Sequence, residues 1–243
     1  MGSTQNSKPI TELALFHLKP SIDRATIRSE LLAAAKAQTE YSKYPVYLFS
    51  QIEDPSYIYL LGGWRSIATH LEDWIPNPIN QGLMKSLKEK LELVYMMHID
   101  IDPADLRSNG ELDQSSTHAT ATGSESPTNS DANEGIPVNV PVIAIGRYFL
   151  TAGQKEAFLN KFQETKGHLK AYIAPRTLRG GVRVAPKDKA GDGIEKEEFV
   201  LFSGWGEVQD HLQFAESERS KEFGKIKNFL EGADIKHAST WKE

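Results

Sequence analysis

Two stretches of this chain place a histidine at a fixed distance from a tryptophan: Gly63-Trp64-x5-His70 and Gly204-Trp205-x5-His211. Two further histidines follow them, His98 in MMHID and His237 in IKHAS, each in an apolar, strand-like segment. Imidazole titrates near neutrality, so a histidine set among aromatic and apolar residues is a candidate general base or hydrogen-bond donor. Burial lowers its pKa and keeps it neutral at pH 7, the state that can accept a proton. Zero cysteines remove disulfides, thiolate zinc sites, cysteine nucleophiles and ordinary iron–sulfur clusters. His70, His98, His211 and His237 are therefore the candidate catalytic residues. Each also has a structural alternative. His70 and His211 could tie a helix to a loop while the tryptophans pack in the core, and His98 could be satisfied by the backbone or by Asp100.

Around them stand candidates for a binding pocket. Trp64 and Trp205 would wall it beside their histidines, with Tyr57, Tyr59 and Trp74 as further aromatic wall. Met96 shares a strand face with His98, and His17 shares one with Leu13 and Leu15. Arg147 would stabilise an anion if it points inward, or belong to an interface ion pair. A metal site is not expected. No His-x3-His or Glu-x2-His pair presents itself on a helix, and Glu72 and Asp73 follow His70 too closely to share its helix face.

The elements that must carry these residues read as βαββαβ. A β-like run at 12–18, a helical stretch over 22–40, strands at 46–52 and 57–64, a helical region broken near Pro76 and Pro78 and resumed over 81–91, and a strand at 93–101 follow in order. The pattern recurs as a strand at 142–150, a helix at 154–172, strands at 177–184 and 199–205, helices over 208–230 and a strand at 235–241. Trp64 and Trp205 are 141 positions apart, as are His70 and His211, and His98 and His237 are 139 apart. Landmarks in one order at near-constant offset indicate a duplicated unit.

Between the copies the chain is rich in Ser, Thr, Asn, Gly and Pro and cannot build a core, so residues 103–140, with His118 among them, read as a flexible linker. The expected units are residues 11–102 and 141–242. A βαββαβ unit covers one sheet face with its helices and leaves the other bare. The expected fold class is therefore α+β, two ferredoxin-like domains packed sheet to sheet within one chain.

The bulk numbers agree with this. The 243 residues are 39% hydrophobic and 25% charged, a globular balance. The net charge of −5, from 28 basic and 33 acidic residues without a basic stripe, argues against a nucleic-acid partner. No apolar run approaches membrane-spanning length, the first twenty residues lack the layout of a secretion signal, and Gly2 fails as a myristoylation site because Asn6 stands where Ser or Thr is needed. A cytoplasmic protein without a membrane partner is expected.

The segments ELALFHLKP, LLGGWRSIATHLEDWI-x3-INQGL and LVYMMHIDID in the first copy, with RGG, FVLFSGW-x5-H and IKHA in the second, resemble tandem antibiotic-biosynthesis-monooxygenase-type proteins of the dimeric α/β-barrel superfamily, of the kind found in fungi. The resemblance implies an intramolecular dimeric α/β-barrel. It also implies a monooxygenase that needs no metal, flavin or other cofactor and oxidises a small hydrophobic or aromatic metabolite, such as an anthrone, naphthol or hydroquinone, with O2. A substrate that loses a proton easily can itself reduce O2, so the protein need supply a base, an enclosed apolar pocket and a donor for the developing anion. The superfamily leaves three alternatives open: an isomerase or cyclase that consumes no O2, a non-catalytic binding protein for a hydrophobic metabolite, and a haem-binding protein with His70 or His211 as axial ligand. Because the Trp74–Asn80 segment has no counterpart after His211, the two copies cannot have equivalent pockets, and the first is the expected seat of activity. The protein would be an internal pseudo-dimer, either monomeric or further dimerised.

Overall fold

A computed structural model of the chain describes residues 8–106, 135–184 and 197–241. Eight strands alternate with helices: β1 (Ile10–Leu18), α1 (Arg24–Ser42), β2 (Tyr47–Gln51), β3 (Tyr57–Trp64), a π-helical turn (Thr69–Trp74), α2 (Pro78–Leu87) and β4 (Leu91–Ile99), then β5 (Val142–Leu150), α3 (Lys155–Ile173), β6 (Leu178–Val184), β7 (Glu198–Trp205), α4 (Val208–Glu216), α5 (Glu218–Phe223), a 3-10 segment (Gly224–Phe229) and β8 (Leu230–Thr240). Among the described residues no helix is long and apolar enough to cross a membrane.

All pairings are antiparallel, and the strands run β1-β3-β2-β8-β5-β7-β6-β4 around one closed barrel. The sequence leads one to expect two stacked sheets; the structure has a single sheet closed on itself. β2 meets β8 through Phe49–Thr240, Ser50–Ser239 and Gln51–Ala238, and β4 meets β6 through His98–Val184 and Ile99–Arg183. An open edge would leave backbone donors and acceptors unpaired, and these seams remove it.

Closure explains the nearly unbroken apolar runs of the strands, because both faces are covered. Leu13, Leu61, Met97, Ile145 and Phe202 point into the barrel and fill it. The alternate residues, among them Ala14, Ile58 and Leu60 in one half and Ala144, Phe199 and Leu201 in the other, point outward and are covered by helices. Gln154 precedes α3 and Lys43 ends α1 in the left-handed conformation, its amide bonded to the Thr39 carbonyl.

Several element ends differ from expectation. Pro78 opens α2 rather than breaking it, because its missing N–H costs nothing in the first turn and the Asn77 side chain accepts from the Ile79 amide. The helices expected over 208–230 are α4 and α5, divided at Ser217, whose hydroxyl caps α5, and a 3-10 segment that follows them. The fourth strand begins at Leu91 rather than 93. The ends of the expected linker are built into the fold: Leu106, Ile136 and Val138 are buried in the barrel core, while residues 107–134, and with them His118, lie outside the described residues.

That inward turn accounts for the glycine of each Gly-Trp pair. A Cβ on Gly63 would meet Pro103 Cβ at 2.2 Å and Tyr44 Cβ at 2.9 Å, and one on Gly204 would meet Val140 Cγ1 at 2.9 Å. Gly82 in α2, by contrast, has nothing within 4 Å of such an atom. Gly63→Ala should therefore destabilise by about 1–3 kcal/mol through overpacking, whereas Gly82→Ala should stabilise by roughly 0.5–1 kcal/mol through helix propensity. Urea unfolding midpoints moving in opposite directions would verify the pair.

Candidate active site

The outward face of β1 carries Glu12, Ala14 and Phe16 beneath α1 and α2, and the first of these is the exception in an otherwise apolar layer. A cavity of about 260 Å³ opens between this face and the helices, lined by Leu31 and Gln38 of α1, Leu83 and Met84 of α2, and Met96 of β4. The small side chains Ala14 and Ala34 leave the space, and the π-helical turn brings His70 and Trp74 to its wall. Asn80, also on the wall, donates from Nδ2 to the Ile75 carbonyl. Ile75, Met84 and Leu93 are exposed at the rim.

Polar groups gather at the buried end. Glu12, His70 and His98 are 5%, 2% and 3% exposed. Trp64 Nε1 donates to Glu12 Oε2 at 2.7 Å, and Gln38 Nε2 donates to the same oxygen at 2.8 Å. His70 Nδ1 and His98 Nε2 share a hydrogen bond of 2.7 Å, and His70 Nε2 stands 3.8 Å from Glu12 Oε1. The His70 ring lies flat on Trp64, centroids 4.3 Å apart and planes 4° from parallel, and meets His98 edge-on.

Burial dominates the electrostatics and acts oppositely on the two kinds of group. It pushes His70 down to about 3. His98 falls to about 4 through burial and then the neighbouring His70, against the opposing pull of Glu12. Glu12 is raised above the ordinary carboxylate range by burial, with the Trp64 bond, the His98 charge and the Gln38 bond working against the rise. Both rings are neutral at pH 7, so one donates and the other accepts in the bond between them.

The second half repeats the histidine pair with different surroundings. His211 stacks on Trp205 at 4.3 Å, and its Nδ1 is 2.8 Å from His237 Nε2. Ala144, paired with Ser203 and His237, takes the place that Glu12 holds opposite Gly62 and His98. Trp205 Nε1 donates instead to Ser203 Oγ at 2.9 Å. The carboxylate lies at the other end of the pair: Glu53, from the loop after β2, is 2.7 Å from His237 Nδ1 and accepts from the His237 amide. Phe158, Phe162 and Phe199, ring against ring with Phe223 beside them, fill the layer between sheet and helix that stays open in the first half.

Of the residues singled out from sequence, His70, Trp74 and Met96 line the cavity, and His98 and Trp64 touch His70. His211, His237 and Trp205 form the parallel cluster of the other half. Tyr59, His17 and Arg147 do not reach the cavity, because they alternate onto the barrel side of their strands. Tyr59 packs in the barrel core, His17 stacks on Tyr57 at 4.6 Å, and Arg147 forms an ion pair with Glu198, its Nε 2.5 Å from Oε1, while lying over the Tyr95 ring. Sequence reasoning missed Glu12, Gln38, Asn80 and Glu53. A lone acid at an outward position of an apolar strand was the available signal for Glu12; nothing local marks Glu53.

The arrangement does not fit a haem. His70 Nδ1 is engaged by His98 and its Nε2 faces a carboxyl oxygen 3.8 Å away, a gap that admits no porphyrin plane. His211 is held by His237 in the same way, with aromatic rings filling its layer. Among the described residues no group of three or more His, Cys, Asp or Glu side chains is arranged to hold a metal ion.

Since His70, His98 and His211 lie below their ordinary value of 6.5 when folded, the unfolded chain takes up protons first as the pH falls. The stability they contribute is complete above about pH 6.5 and is lost as the pH drops toward 4. Denaturation midpoints measured from pH 8 to pH 4 should fall steeply below 6.5, and His70→Asn should make that fall shallower.

Scanned against family models the sequence matches none, and no curated protein matches it. Its fold, however, is shared with solved structures. A candidate monooxygenase from Fusobacterium nucleatum subsp. nucleatum is 10% identical over 97% of this chain and 94% of its own, with a TM-score of 0.60. An anthrone oxidase-like protein is 11% identical over 99% and 94%, with a TM-score of 0.59. A mutant chlorite dismutase from Candidatus Nitrospira defluvii is 11% identical over 97% and 92%, with a TM-score of 0.52. At such identities the likeness is one of fold alone, an α+β chain with its antiparallel sheet closed into a barrel.

Proposed function

We propose that the chain is a cofactor-independent monooxygenase acting on a small, electron-rich hydrophobic metabolite in the cavity beneath α1 and α2. The observation that carries this reading is the Glu12–His70–His98 cluster, buried at the end of a largely apolar cavity. An apolar wall selects a hydrophobic ring system, and a proton-handling cluster in a water-poor site lets such a substrate become the carbanion or phenolate that reacts with O2. The names of the monooxygenase and anthrone oxidase-like neighbours support the same reaction class.

The two halves, residues 11–102 and 141–242, are read as copies of one unit, supported by the matching strand order and the repeated Trp–His–His cluster. Only the first then keeps its cavity for chemistry, with the second serving as the other wall of the barrel. An isomerase that returns the proton without using O2 is the second reading, favoured by the presence of both a carboxyl and an imidazole at the cavity end.

Oxygen uptake by chelator-treated protein, measured with anthrones, naphthols and hydroquinones, tests the proposal. Uptake above the uncatalysed rate is expected with at least one of them. It should fall by about 100-fold or more in His70→Ala, the usual worth of a positioned acid–base group, and stay within a few-fold of the parent in His211→Ala. Equal losses in the two variants would defeat the assignment to the first half.

A further inference from the structure

The two oxygens of Glu12 are in different circumstances. Oε2 accepts from both Trp64 Nε1 and Gln38 Nε2, which fixes the carboxyl from two sides. Oε1 faces His70 Nε2 across 3.8 Å, beyond a direct hydrogen bond and close enough for one ligand oxygen to touch both. His70 cannot offer its other nitrogen to the cavity, because Nδ1 is bound to His98 and the ring is stacked on Trp64.

We propose that Glu12 is the catalytic base of the cavity, its Oε1 taking the substrate's acidic proton while His70 Nε2–H donates to the oxygen on which the negative charge settles. This rests on reading the cavity as a proton-abstracting site. The step balances within the site: the electron pair of the broken C–H or O–H bond stays on the substrate, the proton goes to Oε1, and the carboxylate becomes a neutral carboxyl. In this assignment His98 is the donor of the pair. With its Nε2–H donating to His70 Nδ1, the proton of His70 resides on Nε2, which faces the cavity. The partition of roles follows from burial, which weakens an imidazole as a base and strengthens a carboxylate; the same layer that pushes His70 down to about 3 raises Glu12. Trp64 and Gln38 are then positioning residues whose donated hydrogen bonds favour the ionised carboxylate against the burial that raises it. The groups facing Glu12 are His70 from the π-helical turn, His98 from β4, Trp64 from β3 and Gln38 from α1. The second half lacks this base: Ala144 stands at the Glu12 position, and Leu169 occupies in α3 the place that Gln38 has in α1, a helix of equal length.

Two measurements on the full chain test the assignment. In protein labelled with 13C at glutamate carboxyls and 15N at histidines, NMR titration from pH 3 to 9 should show Glu12 titrating above His70, with Glu12→Gln and His70→Asn identifying the signals. His70 titrating above Glu12 overturns the proposal. Deuterium uptake into anthrone, followed without oxygen in D2O, should exceed the spontaneous rate. It should drop by about 100-fold or more in Glu12→Gln and by less in His70→Asn, with part of the loss restored in Glu12→Asp. Parent-like exchange in Glu12→Gln beside an inert His70→Asn makes the imidazole the base and overturns the proposal. Absence of exchange in the parent overturns the reading of the cavity itself, whichever group titrates higher.

Discussion

Everything in this molecule depends on the two seams where β2 meets β8 and β4 meets β6. They are short, three residue pairs and two, yet they turn one face of the sheet into a closed interior. A closed interior of eight strands is just wide enough for side chains to fill, here Leu13, Leu61, Ile145, Phe202 and their neighbours. The cavity and its histidines lie instead on the outer face of the sheet, beneath the helices. It is there that Glu12 and His98 emerge from β1 and β4, on the face opposite the barrel core.

The two halves show how one backbone plan can be given opposite contents. In the first, Ala14, Ala34 and Leu31 leave space and the π-helical turn carries His70 and Trp74 to its edge. In the second, Phe162 takes the position of Leu31 in a helix of equal length, Phe199 that of Ile58, and the ring cluster closes the layer. Removing one such ring would cost about 3–5 kcal/mol, so this half is invested in rigidity. The carboxylates divide in the same way: Glu12 is held off its imidazole by 3.8 Å and shut away from solvent, while Glu53 is locked onto His237 by three short contacts.

Much of this was legible in the sequence, for identifiable reasons. Strand order, the repeated Gly-Trp-x5-His and the histidines of the fourth and eighth strands are local patterns, and the pairing of His70 with His98 and His211 with His237 joins residues the repeat had already matched. Contacts between distant residues were not legible. Glu53 reaches His237 across 184 positions, and Leu106 and Ile136 look like part of a low-complexity tether until the barrel end is there to receive them. Arg147, Tyr59 and His17 could not be placed from sequence for a different reason. Alternation tells which residues share a face but not which face is the barrel interior, and the closed seams alone decide that. The prolines misled in a third way, since Pro78 starts a helix as readily as Pro inside one would end it.

The reach of Glu53 into the other half also bears on ancestry. If two identical chains once formed this barrel, each histidine pair would have met the same neighbours, and a change in one copy would have been imposed on the other. On the reading of the halves as copies, joining them in one chain would leave them free to specialise, and their contacts have the form of an exchange: the first half gives the second Glu53, and the second gives the first the strand edges that close its sheet. That freedom runs in one direction. A polypeptide cut between the halves would not restore the present contacts as a symmetric pair of either piece: two copies of the second have no Glu53 to share, and two copies of the first would bring β2 and β4 to seams now built on β6 and β8.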